Sequence, residues 1–272
     1  MEDPPNYTDV QAQPGESTKT KHGHIIAIDF GTTFTGVAHL HSDTRNITSF
    51  KAKDFSERID VIKRWGQGSG ALLEKIPTIL SYDSTGHLER WGASVTSEDD
   101  VKVRYFKLGL QPQAYDLANM QSGGSLDGFL ARFSWQNTNL NKAPVDFAAD
   151  YLGAIYRFLH EEYFPSMYPA AWLKKQTFDY IMTVPAIWTD KAKDLTREAA
   201  VQAGIPASSL VLTTEPEAAA QYCAAICANM NLGAGDSFLI CDAGGGTVVC
   251  DLRIRLTVGS YFIHNCIRRP EF

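Results

Sequence analysis

Apolar and polar positions divide the chain into stretches of different character. Residues 1 to 22, MEDPPNYTDVQAQPGESTKTKH, carry almost no large apolar side chain. Ordering them costs more entropy than burial returns, so they read as a disordered tail. At His24 the pattern turns to HIIAIDF, an apolar run ending in an acid, then GTTFTG and a second apolar run, VAHLH. That is strand, tight turn, strand. Between Thr44 and Gly124 the pattern is mixed, with Gly66, Gly68 and Gly70 marking a loop ahead of one strand-like run, KIPTILSYD, and its turn STGHLERWG. From Asp146 onward Phe147, Tyr151, Ile155, Phe158 and Leu159 recur at helical spacing, which predicts an amphipathic helix ending before Pro165.

The most regular pattern follows. FDYIMTVPA predicts a strand, Thr189 or Asp190 caps a helix through Ala203, and Gly204 with Pro206 stops it. SLVLTTE is a short strand, Pro216 opens a helix to about Met230, and DSFLICDAGGG is a strand entering a glycine turn. This alternation predicts an α/β domain with a largely parallel sheet.

Composition narrows the class. With 44% hydrophobic and 21% charged residues in 272, the chain can bury a sizeable core. A formal charge of -6 offers no broad basic face, so neither nucleic acid nor an anionic membrane is an expected partner. No run approaches the ~20 apolar residues of a membrane helix, and no apolar secretion signal opens the chain, so a cytoplasmic location is expected. Five scattered cysteines make no disulfide framework and seven histidines no metal pattern. Cys223 and Cys227 read as small buried hydrophobes, and Trp65, Trp91, Trp135, Trp172 and Trp188 as core or its margin.

Two segments share one design: an apolar strand, an Asp at its end, and a turn of small residues. They are IIAIDFGTTFTG, with Asp29, and FLICDAGGGTV, with Asp242. Glycine turns let backbone N–H groups approach an anion, and a nearby carboxylate can hold Mg²⁺ through waters. Taken singly, each also reads as an ordinary turn whose Asp bonds its own backbone. Taken together they predict two phosphate clamps facing one another. No GxxxxGK[ST] occurs, and GAGDSF precedes a strand instead of opening a helix, which argues against P-loop and Rossmann sites. In TTEPEAAA, Glu215 ends a strand as Pro216 begins a helix, where an acid also serves a helix N-terminus.

IIAIDFGTTFTGVAHL, FDYIMTVPAIWTDKAKDLTREAAVQAGI, TEPEAAA and ICDAGGGTV together resemble, in order and spacing, the two phosphate segments and connecting elements of the Hsp70 chaperone family. The wording is similar to the divergent Hsp70-like proteins related to the twelfth human Hsp70 subgroup, over roughly residues 24 to 248. The resemblance implies a two-lobed actin-like ATPase (ribonuclease H-like) fold that binds ATP or ADP with Mg²⁺. It implies Asp29 and Asp242 as metal anchors and catalytic acids, and phosphate contacts from Gly31, Thr32, Thr33, Gly244, Gly245, Gly246 and Thr247. Glu215 would orient the attacking water, and Lys107, in VRYFKLGL, would match the catalytic lysine. On composition alone Lys107 reads as a surface lysine. Client and co-chaperone proteins are the implied partners.

The resemblance breaks after Val248. The family places a functional Asp two residues after the glycine-turn Thr, where this chain has Val249 and reaches Asp251 two positions late. That moves a carboxylate by roughly 6.6 Å. The expected organisation is a tail over 1–22, a first lobe over 23–178, a partial second lobe over 179–248 and a divergent tail over 249–272. A C-terminally truncated chain is expected, with the tail read as a translated intron. Three functions fit: an Hsp70-like ATPase, a non-catalytic regulatory relative on the same scaffold, and a sugar-kinase-like phosphotransferase, which the connecting segment disfavours.

Overall fold

The computed structural model describes residues 23–42, 58–66, 72–96, 98, 101–111, 139–226, 237–243, 248–257 and 260–264. The expected N-terminal tail, Gly68, Gly70, Trp135, Cys227 and the glycine turn at 244–247 lie outside them.

The run at His24 forms β1 (Gly23–Asp29) and β2 (Phe34–Ser42), paired antiparallel with Asp29 opposite Gly36. Period-two alternation decides what each face meets. Ile26, Ile28 and, just beyond the strand, Phe30 are buried, whereas Ala27 is exposed and Ile25 and Asp29 are half-buried. β3 (Asp60–Val61) and β4 (Lys75–Pro77) share the far edge of β2. On the other side of β1 come β8 (Thr177–Val184) and β9 (Leu210–Thr214), both parallel. The order is β3-β2-β1-β8-β9, with β4 on β2. The 178/179 division drawn from the sequence falls inside β8.

Three sequence expectations change here. The sheet is mixed rather than largely parallel, because the short link between β1 and β2 allows only an antiparallel return. The DSFLICDA run, β10 (Ser237–Ala243), leaves this sheet and pairs antiparallel with β11 (Val248–Thr257), which pairs with β12 (Ser260–His264). KIPTILSYD is two strands in different sheets, β4 and β5 (Ile79–Tyr82), the latter paired with β6 (Leu88–Trp91) and β7 (Val101–Arg104). The break is at Thr78. Its N–H donates to the Thr33 carbonyl at 2.8 Å and its hydroxyl to the Gly31 carbonyl at 2.8 Å, so this residue serves the β1–β2 turn instead of a ladder.

The predicted amphipathic helix is α1 (Pro144–Arg157), with Pro144 in its first turn and Asp146 accepting the Ala143 N–H at 2.7 Å. Pro165 does not stop the helical path. The chain continues through a π turn, Phe158–Tyr163, into α2 (Phe164–Met167), where Pro165 sits in a first turn that has no use for its missing N–H. A short α3 (Ala170–Leu173) precedes β8. Thr189 rather than Asp190 caps α4 (Asp190–Gln202), its hydroxyl accepting the Ala192 N–H at 3.3 Å. Gly204, at φ 103°, ends that helix in a conformation other residues resist. α5 (Glu215–Ile226) follows β9 directly.

One buried cluster joins the sheet to α1 and α4. Ile26 and Ile28, beside Tyr180 and Met182 of β8, share it with Phe147, Tyr151 and Ile155 of α1 and Ala199 of α4. Trp65 and Trp188 belong to this core and Trp91 packs on it. Three histidines, His24, His39 and His41, gather at its far end. Antiparallel pairing sets His24 opposite His41 and beside His39, with His24 Nδ1 and His39 Nε2 2.7 Å apart. Among the described residues, no helix is long and apolar enough to cross a membrane.

Candidate functional site

In open α/β sheets, ligands bind beyond the carboxyl ends of the parallel strands. Here β1, β8 and β9 bring Asp29, Thr183 and Thr214–Glu215 to that end. The Phe30–Thr33 turn crosses above them. At Gly31 a Cβ would stand 2.0 Å from the Phe34 carbonyl oxygen, so the chain closes on itself only with glycine there. Thr78 clasps the same turn from just beyond β4, and Thr35 donates to its hydroxyl at 2.9 Å. Gly31, Thr32 and Thr33 are therefore a tightly held loop.

Asp29 and Phe30 point to opposite faces of the sheet and anchor two adjacent clusters. On the open face, Asp29 Oδ2 meets Lys75 Nζ at 2.8 Å, and Thr183 donates to Oδ1 at 3.1 Å. On the core face, the Phe30 ring lies 5.6 Å from Lys107 Nζ, and the Trp188 ring 5.4 Å from it. Lys107 is not a surface lysine. Its side chain is 3% exposed and its ammonium donates to Glu215 Oε1 at 2.8 Å. The packing of α1 against the 3-10 turn Phe106–Leu110 carries it inward, directly after Tyr105, which holds a left-handed φ of 61°. Tyrosine resists that conformation, and such strain concentrates at functional positions.

The acid that serves the helix N-terminus is Glu217. Its Oε2 accepts the Thr214 N–H at 2.9 Å while its own N–H donates to Thr214 Oγ1 at 3.3 Å, a reciprocal capping box. Glu215 is thereby left to Lys107. Asp242 lies in β10 opposite Val249, and α5 packs on β10. Gly244, Gly245, Gly246 and Thr247 lie outside the described residues, as does the Asp242 side chain.

The structure thus joins Lys107 to Glu215 and sets Asp29 across the sheet end from them. Sequence reasoning missed Lys75, Thr183 and Thr78, and read Trp188 as core without its place beside Lys107. Thr183 was readable as a polar interruption in TVPA, but Lys75 carries no local signal, because its place depends on β4 pairing with β2. A cavity of about 420 Å³ between α1 and α4, lined by Lys142, Asp146, Asp150 and Arg157, takes in none of these residues.

A mixed sheet flanked by helices, with charged side chains gathered where its parallel strands end, is an α/β architecture consistent with the actin-like ATPase fold. No family model matches the chain. It is similar to heat shock 70 kDa protein 12B of Homo sapiens, 28% identical over 217 residues, and to heat shock 70 kDa protein 12A of Mus musculus, 29% identical over 208 residues. Each match covers 73% of this chain and 28% of the relative, so the chain spans little more than a quarter of the curated proteins it matches. The Hsp70-like resemblance carried by the four motifs therefore extends over most of the chain, and its relatives are the divergent Hsp70-12 proteins.

Proposed function

We propose that the chain is an Hsp70-like nucleotide-binding domain that takes the phosphates of ATP or ADP at the Gly31–Thr33 loop. The observation that carries this reading is the Lys107–Glu215 pair, 2.8 Å apart and nearly closed to solvent beside that loop. A buried ion pair adds little to stability over well-packed apolar side chains. Its presence at the ligand-binding end of the sheet is better explained by chemistry. The Lys107 ammonium is placed to offset charge developing on a transferred phosphoryl, and Glu215 to orient a water through its second oxygen.

Asp242, Gly244, Gly245, Gly246 and Thr247 would close the site from a second lobe, and client and co-chaperone partners belong to the same proposal. Magnesium is the cofactor the family leads one to expect at Asp29 and Asp242. Asp29, however, already has an ammonium on one oxygen and a hydroxyl on the other. A dication finds no spare negative charge on it.

Isothermal titration with ATP, paired with phosphate-release kinetics, tests the proposal. Wild type is expected to bind and hydrolyse, and Lys107→Ala to keep affinity within about fivefold while losing at least about a hundredfold in turnover. Binding without turnover in wild type would select the non-catalytic reading. No heat from a sample whose fold is verified by circular dichroism would refute nucleotide binding.

A further inference from the structure

We propose that Lys75 is the resident cation of the phosphate site: its ammonium takes the place of a divalent ion at Asp29, so that nucleotide phosphates bind without one. This rests on the nucleotide-binding reading above and deepens it.

The placement follows from strand pairing. Asp29 stands opposite Gly36 across β1 and β2, and Gly36 opposite Lys75 across β2 and β4, so the three residues form one row across the sheet. Gly36 has no side chain to block the row. The lysine stem lies over it, Cγ and Cε passing 3.6 and 3.7 Å from where a Cβ would stand, and Nζ reaches Asp29 Oδ2 at 2.8 Å. Thr183 fills the other oxygen. One carboxylate and one ammonium cancel, whereas a bound Mg²⁺ relies on one or two carboxylates with charge to spare.

The pair is also accessible. The Lys75 side chain is 58% exposed and that of Asp29 43%, so the ammonium can donate a further N–H to an arriving phosphate oxygen while it stays on Asp29. A lysine on a flexible stem suits that bridging, as a point charge with three donors. The ligand class is the anionic tail of a nucleoside di- or triphosphate, and the cation is supplied by the chain.

The test titrates ATP into the full chain with EDTA and with Mg²⁺. Wild-type affinity is expected to differ less than about threefold between the two conditions. Lys75→Met, close in shape but uncharged, is expected to lose at least about tenfold in EDTA and to regain it with Mg²⁺, while Lys75→Arg stays near wild type. A wild type that loses binding on metal removal as far as Lys75→Met overturns the proposal. Mn²⁺ titration without nucleotide, followed by electron paramagnetic resonance, is the second arm. Lys75→Met is expected to bind Mn²⁺ at least about tenfold more tightly than wild type. If ATP binds under no condition, the nucleotide reading fails. The Mn²⁺ arm still decides whether Lys75 occupies Asp29, and equal Mn²⁺ affinities would reject it.

Discussion

The Lys107–Glu215 pair permits a thermodynamic test that needs no ligand. Removing one partner of a buried ion pair strands the other charge, at about 3–5 kcal/mol. Two compensations temper this. In Lys107→Met the Glu215 carboxylate keeps 14% exposure and sits in the first turn of α5, where unpaired N–H groups return up to about 1 kcal/mol. In Glu215→Gln the 3% exposed ammonium keeps the faces of Phe30 and Trp188, each contributing about 0.5–1 kcal/mol. Each single variant is therefore expected to lose about 3 kcal/mol. The double variant, with no charge left to strand, should fall short of their sum by about 2 kcal/mol. Urea unfolding at several fixed concentrations of salt, followed by tryptophan fluorescence, measures all four corners of the cycle, and an unchanged slope shows that the same surface unfolds. Single costs under about 1 kcal/mol, or additivity within about 0.5 kcal/mol, would mean the pair is solvent-screened and the argument from its burial is wrong.

Acid should destabilise the chain through its histidine cluster. Burial first, and then the neighbouring imidazoles, holds His24 at about 3, while burial holds His39 at about 4 against the opposing pull of Asp60. The unfolded chain takes up these protons below its ordinary value of about 6.5 and the folded chain does not, so this stabilisation is complete above that pH and drains away as pH falls toward 4 and then 3. By pH 5 the loss is about 2 kcal/mol per imidazole. Denaturant melts at pH 7 and pH 5 should differ by about 4 kcal/mol, and His24→Phe should remove about half of that difference. A difference under about 1 kcal/mol would exclude neutral buried imidazoles. Gly31→Ala drives a methyl to 2.0 Å from the Phe34 carbonyl, so the turn must open. A loss of about 2 kcal/mol or more with abolished ATP binding is expected, and wild-type melting and affinity would show that the turn is not closed in this way.

How far the sequence reaches depends on the range of the interaction. β1, β2, β8, α4 and β9 were readable from period-two and helical spacing, the Thr189 hydroxyl and Gly204, because those preferences are settled within a few residues. The same locality explains the errors. KIPTILSYD has the composition of one strand, and only the demand of the Gly31 turn for a hydrogen-bonding partner at Thr78 breaks it. Pro165 looks like a terminator until a fresh helical turn begins beneath it.

The candidate residues divide along the same line. Asp29, Gly31 and Glu215 announce themselves by standing where an apolar run meets a turn, and the four motifs in order carry the Hsp70-like resemblance. By itself the chain's order of residues determined the main strands and helices, β1, β2, α1, β8, α4 and β9, and the glycine at the Gly31 turn, since backbone sterics and side-chain periodicity act locally. Only the tertiary structure decided that Lys107 is buried on Glu215, that Lys75 crosses Gly36 to reach Asp29, and that Phe164, Trp172 and Phe178 pack around His24. Each of those outcomes joins strands or helices far apart in the chain, and the energy of a charge depends on the partner and the water it finds after the sheet has assembled.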